Sequence, residues 1–263
     1  MFPVNHVGRP LPSIFAGDYH ALHVIQSLLG NDSIELVLVS SKQANKVDKD
    51  LAKELANSDV IYLCTPHSNS ELKRIAPLIE HPLEEQIPNF NGIDIPCWFA
   101  NKLDEGSSKR VIWIPGKSFQ LESPAERAYT EASLLGVDNP FDSKSPQTDY
   151  AILMRLTVND KKVIVVAGIH QYGTWIGGEF FQKLTNEELS PYEVIFLSDD
   201  DFVAIIGGEF DPKSFSVSYC DVHNQYLWIR EENNWKRLTR AEVQNEKDAQ
   251  ADRRRVVLSR KRK

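Results

Sequence analysis

The chain has 263 residues, 41% hydrophobic and 10% aromatic, enough to bury one substantial core without staples. Its three cysteines, Cys64, Cys97 and Cys220, lie far apart and make no C-x-x-C pair, which argues against a disulfide framework or a structural zinc site and fits a reducing compartment. The formal charge is −7, but residues 253–263 carry +7 and leave −14 on the body, which argues against a general nucleic-acid binder and restricts nucleic-acid contact to a basic tail.

The first dozen residues lack a charged region followed by an apolar one, and no stretch reaches the roughly 20 apolar residues that span a bilayer. The expectation is a cytoplasmic chain without a membrane partner. Residues 13–17 read as a short strand, and 18–29 as a helix with Asp18 as its N-cap, Leu22, Ile25, Leu28 and Leu29 on one face, and Gly30 as its stop. A strand over 33–40, a polar-faced helix over 47–56 and a strand over 59–65 follow, giving β-α-β-α-β alternation, the pattern of a parallel sheet with covering helices. A polar turn at 66–71 enters a helix over 72–79 that Pro77 shortens. Residues 80–92 read as loop, 96–100 and 110–114 as strands, 124–135 as a helix stopped by Gly136, and 138–148 as a linker.

Residues 150–158 and 162–167 are two strands joined by Asn159-Asp160, a hairpin signal. Val163 to Ala167 form a continuous small or β-branched apolar run that reads as a fully buried parallel strand, followed by a helix over 174–184. Strands at 192–197, 201–206, 214–220 and 226–229 come next, with Gly207-Gly208 as a turn. The expected class is α/β: a Rossmann-like, mainly parallel sheet with flanking helices, plus C-terminal antiparallel strands. Residues 1–190 make the Rossmann-like domain, 191–240 its strand-rich extension, and 241–263 a charged, frayed tail.

Three predicted strand ends carry polar or glycine residues: Gly17-Asp18, the segment 65–69, and the segment 168–174. Loops at the C-terminal ends of parallel strands line one crevice, so these segments are expected to converge on a ligand. Gly17, Asp18, Thr65, Ser68, Asn69, Gly168, Gly173 and Thr174 are the binding candidates. Gly168 and Gly173 allow backbone N–H groups to turn toward an anion, and Thr174 is placed to cap the helix. Replacing Gly173 by valine is expected to block this loop without unfolding the chain. His67 and His170 are candidate acid–base or ligand-contacting groups, read equally well as hydrogen-bonded loop histidines. Glu179 is the candidate catalytic carboxylate, with a solvated surface glutamate as the alternative. Asp149 and Tyr150 reach the crevice side only if their strand is antiparallel. His20 and His23 lack a third ligand, so no metal site is expected.

The strand–polar loop–helix at 59–72 and the run Ala-Gly-Ile-His-Gln-Tyr-Gly-Thr within 163–178 resemble the nucleotide-binding Rossmannoid domains of bacterial signalling and defence proteins, loosely the SLOG-like and nucleoside-deoxyribosyltransferase-like groups. The resemblance spans residues 13–185. It implies a nucleotide-derived or NAD-like ligand and, in enzymatic members, attack on an N-glycosidic bond. Three readings follow. One is a sensor of a nucleotide or dinucleotide acting through a protein partner, one a hydrolase of NADase or nucleosidase type, and one a scaffold whose crevice is filled by Tyr172 and Trp175.

Overall fold

A computed structural model describes residues 16–29, 57–63, 78–80, 86–90, 92–104, 107–116, 120–123, 147–185, 200–211, 214, 216–239 and 241–245. The expected strands at 33–40 and 192–197, the helices at 47–56 and 124–135, and the turn at 66–71 lie outside them; of the helix expected over 72–79 only residues 78 and 79 are described, and they are extended in a short strand, Leu78–Glu80, not helical.

Along the described chain run α1 (Ala16–Leu29), β1 (Val60–Leu63), β2 (Leu78–Glu80), β3 (Asn89–Phe90), β4 (Ile93–Asp94), β5 (Trp98–Asp104), β6 (Ser107–Trp113) and β7 (Gln120–Glu122). They are followed by β8 (Gln147–Val158), β9 (Lys161–Gly168), α2 (Gln171–Thr185), β10 (Phe202–Asp211), β11 (Ser216–Glu231) and β12 (Asn234–Arg237). The main sheet has six strands in the order β1-β9-β8-β10-β11-β12, and a second has four in the order β2-β5-β6-β7.

The chain is thus mixed α/β, but the main sheet is not mainly parallel. Among its described strands only β1 and β9 pair in parallel, with Val60 opposite Val163 and Leu63 opposite Val166; in the second sheet β2 and β5 do so. The remaining pairs are antiparallel. The cause is connection length: a parallel pair needs a long crossover, whereas two residues join β8 to β9. At that turn Asn159 (φ 50°) and Asp160 (φ 62°) both adopt the left-handed conformation, as a type I′ hairpin requires and as these residue types tolerate.

Alternation along the central strands sorts the core into two faces. Ala151, Leu153, Val166, Ala204 and Ile206 point toward α2 and its neighbour α1. Ile152, Met154, Leu156, Val165, Val203 and Ile205 point toward the second sheet, where they meet Phe99, Ile112, Ile114 and Leu121. The described elements therefore stack in three layers: helices, main sheet and second sheet.

Several local expectations are corrected. Residues 16 and 17 belong to α1, so Gly17 and Asp18 lie in a first helical turn, not at a strand end; a short apolar run cannot by itself separate the two states. Residues 216–220 of the first expected segment and the segment 226–229 belong to one long strand, β11, interrupted by an irregularity. Gly207 and Gly208 do not turn the chain but continue β10 to Asp211. Asn89 and Phe90, within the segment 80–92 read as loop, form β3 of the small β3/β4 hairpin. The first residues of the expected frayed tail, 241–245, are helical. There the Thr239 N–H donates to Glu242 Oε2 at 2.8 Å and the Glu242 N–H to Thr239 Oγ1 at 3.3 Å, a capping box that seats the buried Val243.

Both glycine pairs serve packing. A Cβ on Gly177 would lie 2.8 Å from Val166 Cγ1, and one on Gly178 would lie 2.8 Å from the Ala21 Cα, so one glycine admits the sheet and the next admits α1. On β10, a Cβ on Gly208 would lie 2.7 Å from Ile176 Cγ2 of α2, and one on Gly207 would meet the rings of Tyr150 and His223 on the opposite face.

Candidate functional site

The turn from β9 into α2 lies at the end of the main sheet where β8 begins, because antiparallel pairing sets Ala151 opposite Gly168. The Ile169 N–H donates to the Tyr150 carbonyl at 2.9 Å, which continues the ladder past β9. Antiparallel pairing therefore does bring Asp149 and Tyr150 to this edge. β1 ends at Leu63, level with Val166, and the candidates Thr65, His67, Ser68 and Asn69 follow it in the sequence. Those four residues lie outside the described ones.

The glycine-rich turn is closed on itself. α2 begins at Gln171, so Thr174 is inside its first turn; fully buried, its Oγ1 accepts the Gly168 N–H at 3.1 Å instead of capping the helix. The Gly173 N–H donates to Asp149 Oδ2 at 2.7 Å, and the Tyr150 N–H donates to Asp149 Oδ1 at 2.8 Å. The anion at the positive end of α2 is thus the chain's own fully buried carboxylate, where the helix dipole and two amides favour it. A Cβ on Gly173 would sit 2.3 Å from the Tyr150 carbonyl oxygen, and one on Gly168 would sit 2.2 Å from that of His170. Gly173→Val therefore does not spare the fold, contrary to the expectation from sequence: these glycines allow backbone to meet backbone.

His170 is 7% exposed, and burial with the nearby Arg110 guanidinium lowers its pKa from 6.5 to about 4, so it is neutral at physiological pH. Its ring stacks on Tyr172 at 5.6 Å, and Tyr172 stacks on Phe210 at 3.8 Å. Burial, reinforced by the Asp149 charge, raises the pKa of the Tyr150 and Tyr172 phenols. Arg110 belongs to β6, whose Ile112 faces the main sheet, so period-two alternation turns Arg110 to that side as well. Sequence reading missed Arg110, because nothing local marks a strand residue whose importance comes from another sheet.

Glu179 is not drawn to the His170 turn. It lies eight residues into α2, about 12 Å along the axis from Gln171 at the usual helical rise. Its Oε1 accepts the Trp175 indole N–H at 3.1 Å, and His20 stacks on the same indole at 4.3 Å. Trp175 and Tyr172 are core residues, 3% and 7% exposed. Elsewhere, an apolar cleft of about 270 Å³, lined by Ile95, Pro96, Ile114, Pro115, Trp228 and Trp235 among others, opens at the Ile114 end of β6. Among the described residues no cluster of three or more metal-ligating side chains occurs, and no helix is long and apolar enough to cross a membrane.

Comparison of the chain with protein-family models, curated proteins and solved structures yields no match.

Proposed function

We propose that the chain is a Rossmann-like cytoplasmic module that binds a nucleotide- or dinucleotide-derived small molecule in a signalling or defence role and passes the signal to a protein partner. The observation that carries this reading is the parallel β1/β9 pair, whose C-terminal ends share one edge with His170 and Arg110. Ligands of open α/β sheets bind at such an edge. Arg110 supplies a permanent positive charge suited to phosphate, and neutral His170 a hydrogen-bonding ring. The phosphate seat in this reading lies on the Arg110 side of the turn, because Asp149 fills the α2 terminus.

Binding is favoured over N-glycosidic hydrolysis because Asp149 and Glu179 are both engaged: Asp149 by backbone amides, Glu179 by Trp175. The scaffold reading draws on the burial of Tyr172 and Trp175. Calorimetric titration with ATP, NAD and a cyclic dinucleotide, with product analysis, separates the three. Saturable binding without turnover, weakened roughly tenfold or more by Arg110→Gln as for a lost charge-assisted contact, is the expected result. Turnover abolished in Glu179→Gln points to the hydrolase, and absence of binding to the scaffold.

A further inference from the structure

β11 carries an irregularity that its neighbours hold in place. Ala204 of β10 faces Leu227, yet Ile206, two residues on, faces Val222, so residues 223–226 are accommodated opposite Ile205 alone. Asn224 (φ 46°) and Gln225 (φ 59°) both take the left-handed conformation there, without glycine. Arg237 of β12 donates to both their carbonyls, at 2.9 Å and 3.2 Å, and its guanidinium lies 4.3 Å from the Tyr226 ring centroid. Such bulges re-aim side chains, and backbone in sparsely populated regions persists where its surroundings impose it.

The side chain re-aimed is His223. Its ring meets Tyr150 edge-on at 4.8 Å and 67°, above Gly207, where a Cβ would approach both rings to 3.1–3.2 Å. Both rings are partly exposed. The Asn224 amide, 2.9 Å from His223 Nε2, fixes the imidazole rotation. Two rings at this angle make a corner in which a third planar ring lies flat on one and edge-on to the other, the preferred aromatic geometries. The corner lies at the same sheet edge as the His170 turn: Tyr150 receives the Ile169 N–H through its own carbonyl and faces Gly207 across the ladder. From β9 to β11 is three strand spacings, about 14 Å, a span comparable to that of an extended nucleotide from phosphate to base.

Resting on the binding reading above, we propose that Tyr150 and His223, meeting over Gly207, form the subsite for a planar heteroaromatic ring of the ligand, with the phosphates toward Arg110. The test is titration of the full chain with ATP and with tripolyphosphate, which keeps the anion and lacks the ring. Wild type should bind ATP more tightly than tripolyphosphate. His223→Ala should weaken ATP binding roughly tenfold, the scale of one lost stacking contact, leave tripolyphosphate binding unchanged, and be rescued by His223→Phe. Circular dichroism on each variant verifies that it is folded. Equal affinity of wild type for the two probes, or equal effects of His223→Ala on both, overturns the ring subsite while leaving anion binding intact. Binding of neither probe overturns both readings.

Discussion

At the scale of single residues, a histidine buried without charge makes stability depend on pH. In the folded chain His170 titrates near 4, against 6.5 when solvated. Below pH 6.5 the unfolded chain takes up a proton that the folded chain refuses, so this contribution is fully present above that pH and is lost as pH falls toward 4. Lowering the midpoint from 6.5 to about 4 corresponds to about 3 kcal/mol. In urea unfolding at pH 7 and pH 4, the stability gap between wild type and His170→Phe should therefore narrow by about this amount on acidification. A gap independent of pH would show that His170 is not held neutral. Sequence shows that a histidine stands in a strand-end turn; it does not show that Tyr172 and a strand from another sheet remove that histidine from water.

At the scale of elements, the contact of α1 with α2 depends on having no side chain at Gly178. Helix propensity alone favours alanine over glycine by about 1 kcal/mol, whereas overpacking costs about 1–3 kcal/mol. A Cβ there would lie 2.8 Å from the Ala21 backbone, which cannot rotate away, so the clash outweighs propensity. Gly178→Ala should lower the melting temperature, and Ala21→Gly in the same chain should recover little, because the Cα is the nearest obstacle. The β8/β9 hairpin was legible because Asn159-Asp160 is a local signal between apolar runs, and the β1/β9 pairing because β-branched runs predict buried strands. The duty of Gly168, Gly173, Gly177 and Gly178 was not legible. Glycine at a strand end reads as room for a ligand, whereas here that room is filled by the chain's own backbone and side chains.

For the whole molecule, three antiparallel pairs of consecutive strands and one parallel edge produce a sheet buried on both faces, with the second sheet replacing a helical layer on one of them. The near-continuous apolar runs of β8, β9 and β10 announce such double burial but do not say whether helix or sheet supplies it. Candidate site residues near in sequence, 168–174, were found together. Tyr150 and His223 come together only through sheet topology and a bulge, and Arg110 reaches His170 from another sheet, which no local pattern encodes.

Asp149 reaches across 24 positions to the first turn of α2. Because its carboxylate closes that helix terminus, α2 cannot lift from the sheet without exposing an amide and a charge at once. Local fluctuations that unravel most helix ends are therefore suppressed here, and β8, β9 and the start of α2 should open as one cooperative unit. In native-state hydrogen exchange the Gly173 amide should exchange as slowly as those of Val165 and Leu153 in the sheet centre. In Asp149→Ala it should exchange ahead of them, uncoupling the helix start from the strands that otherwise protect it.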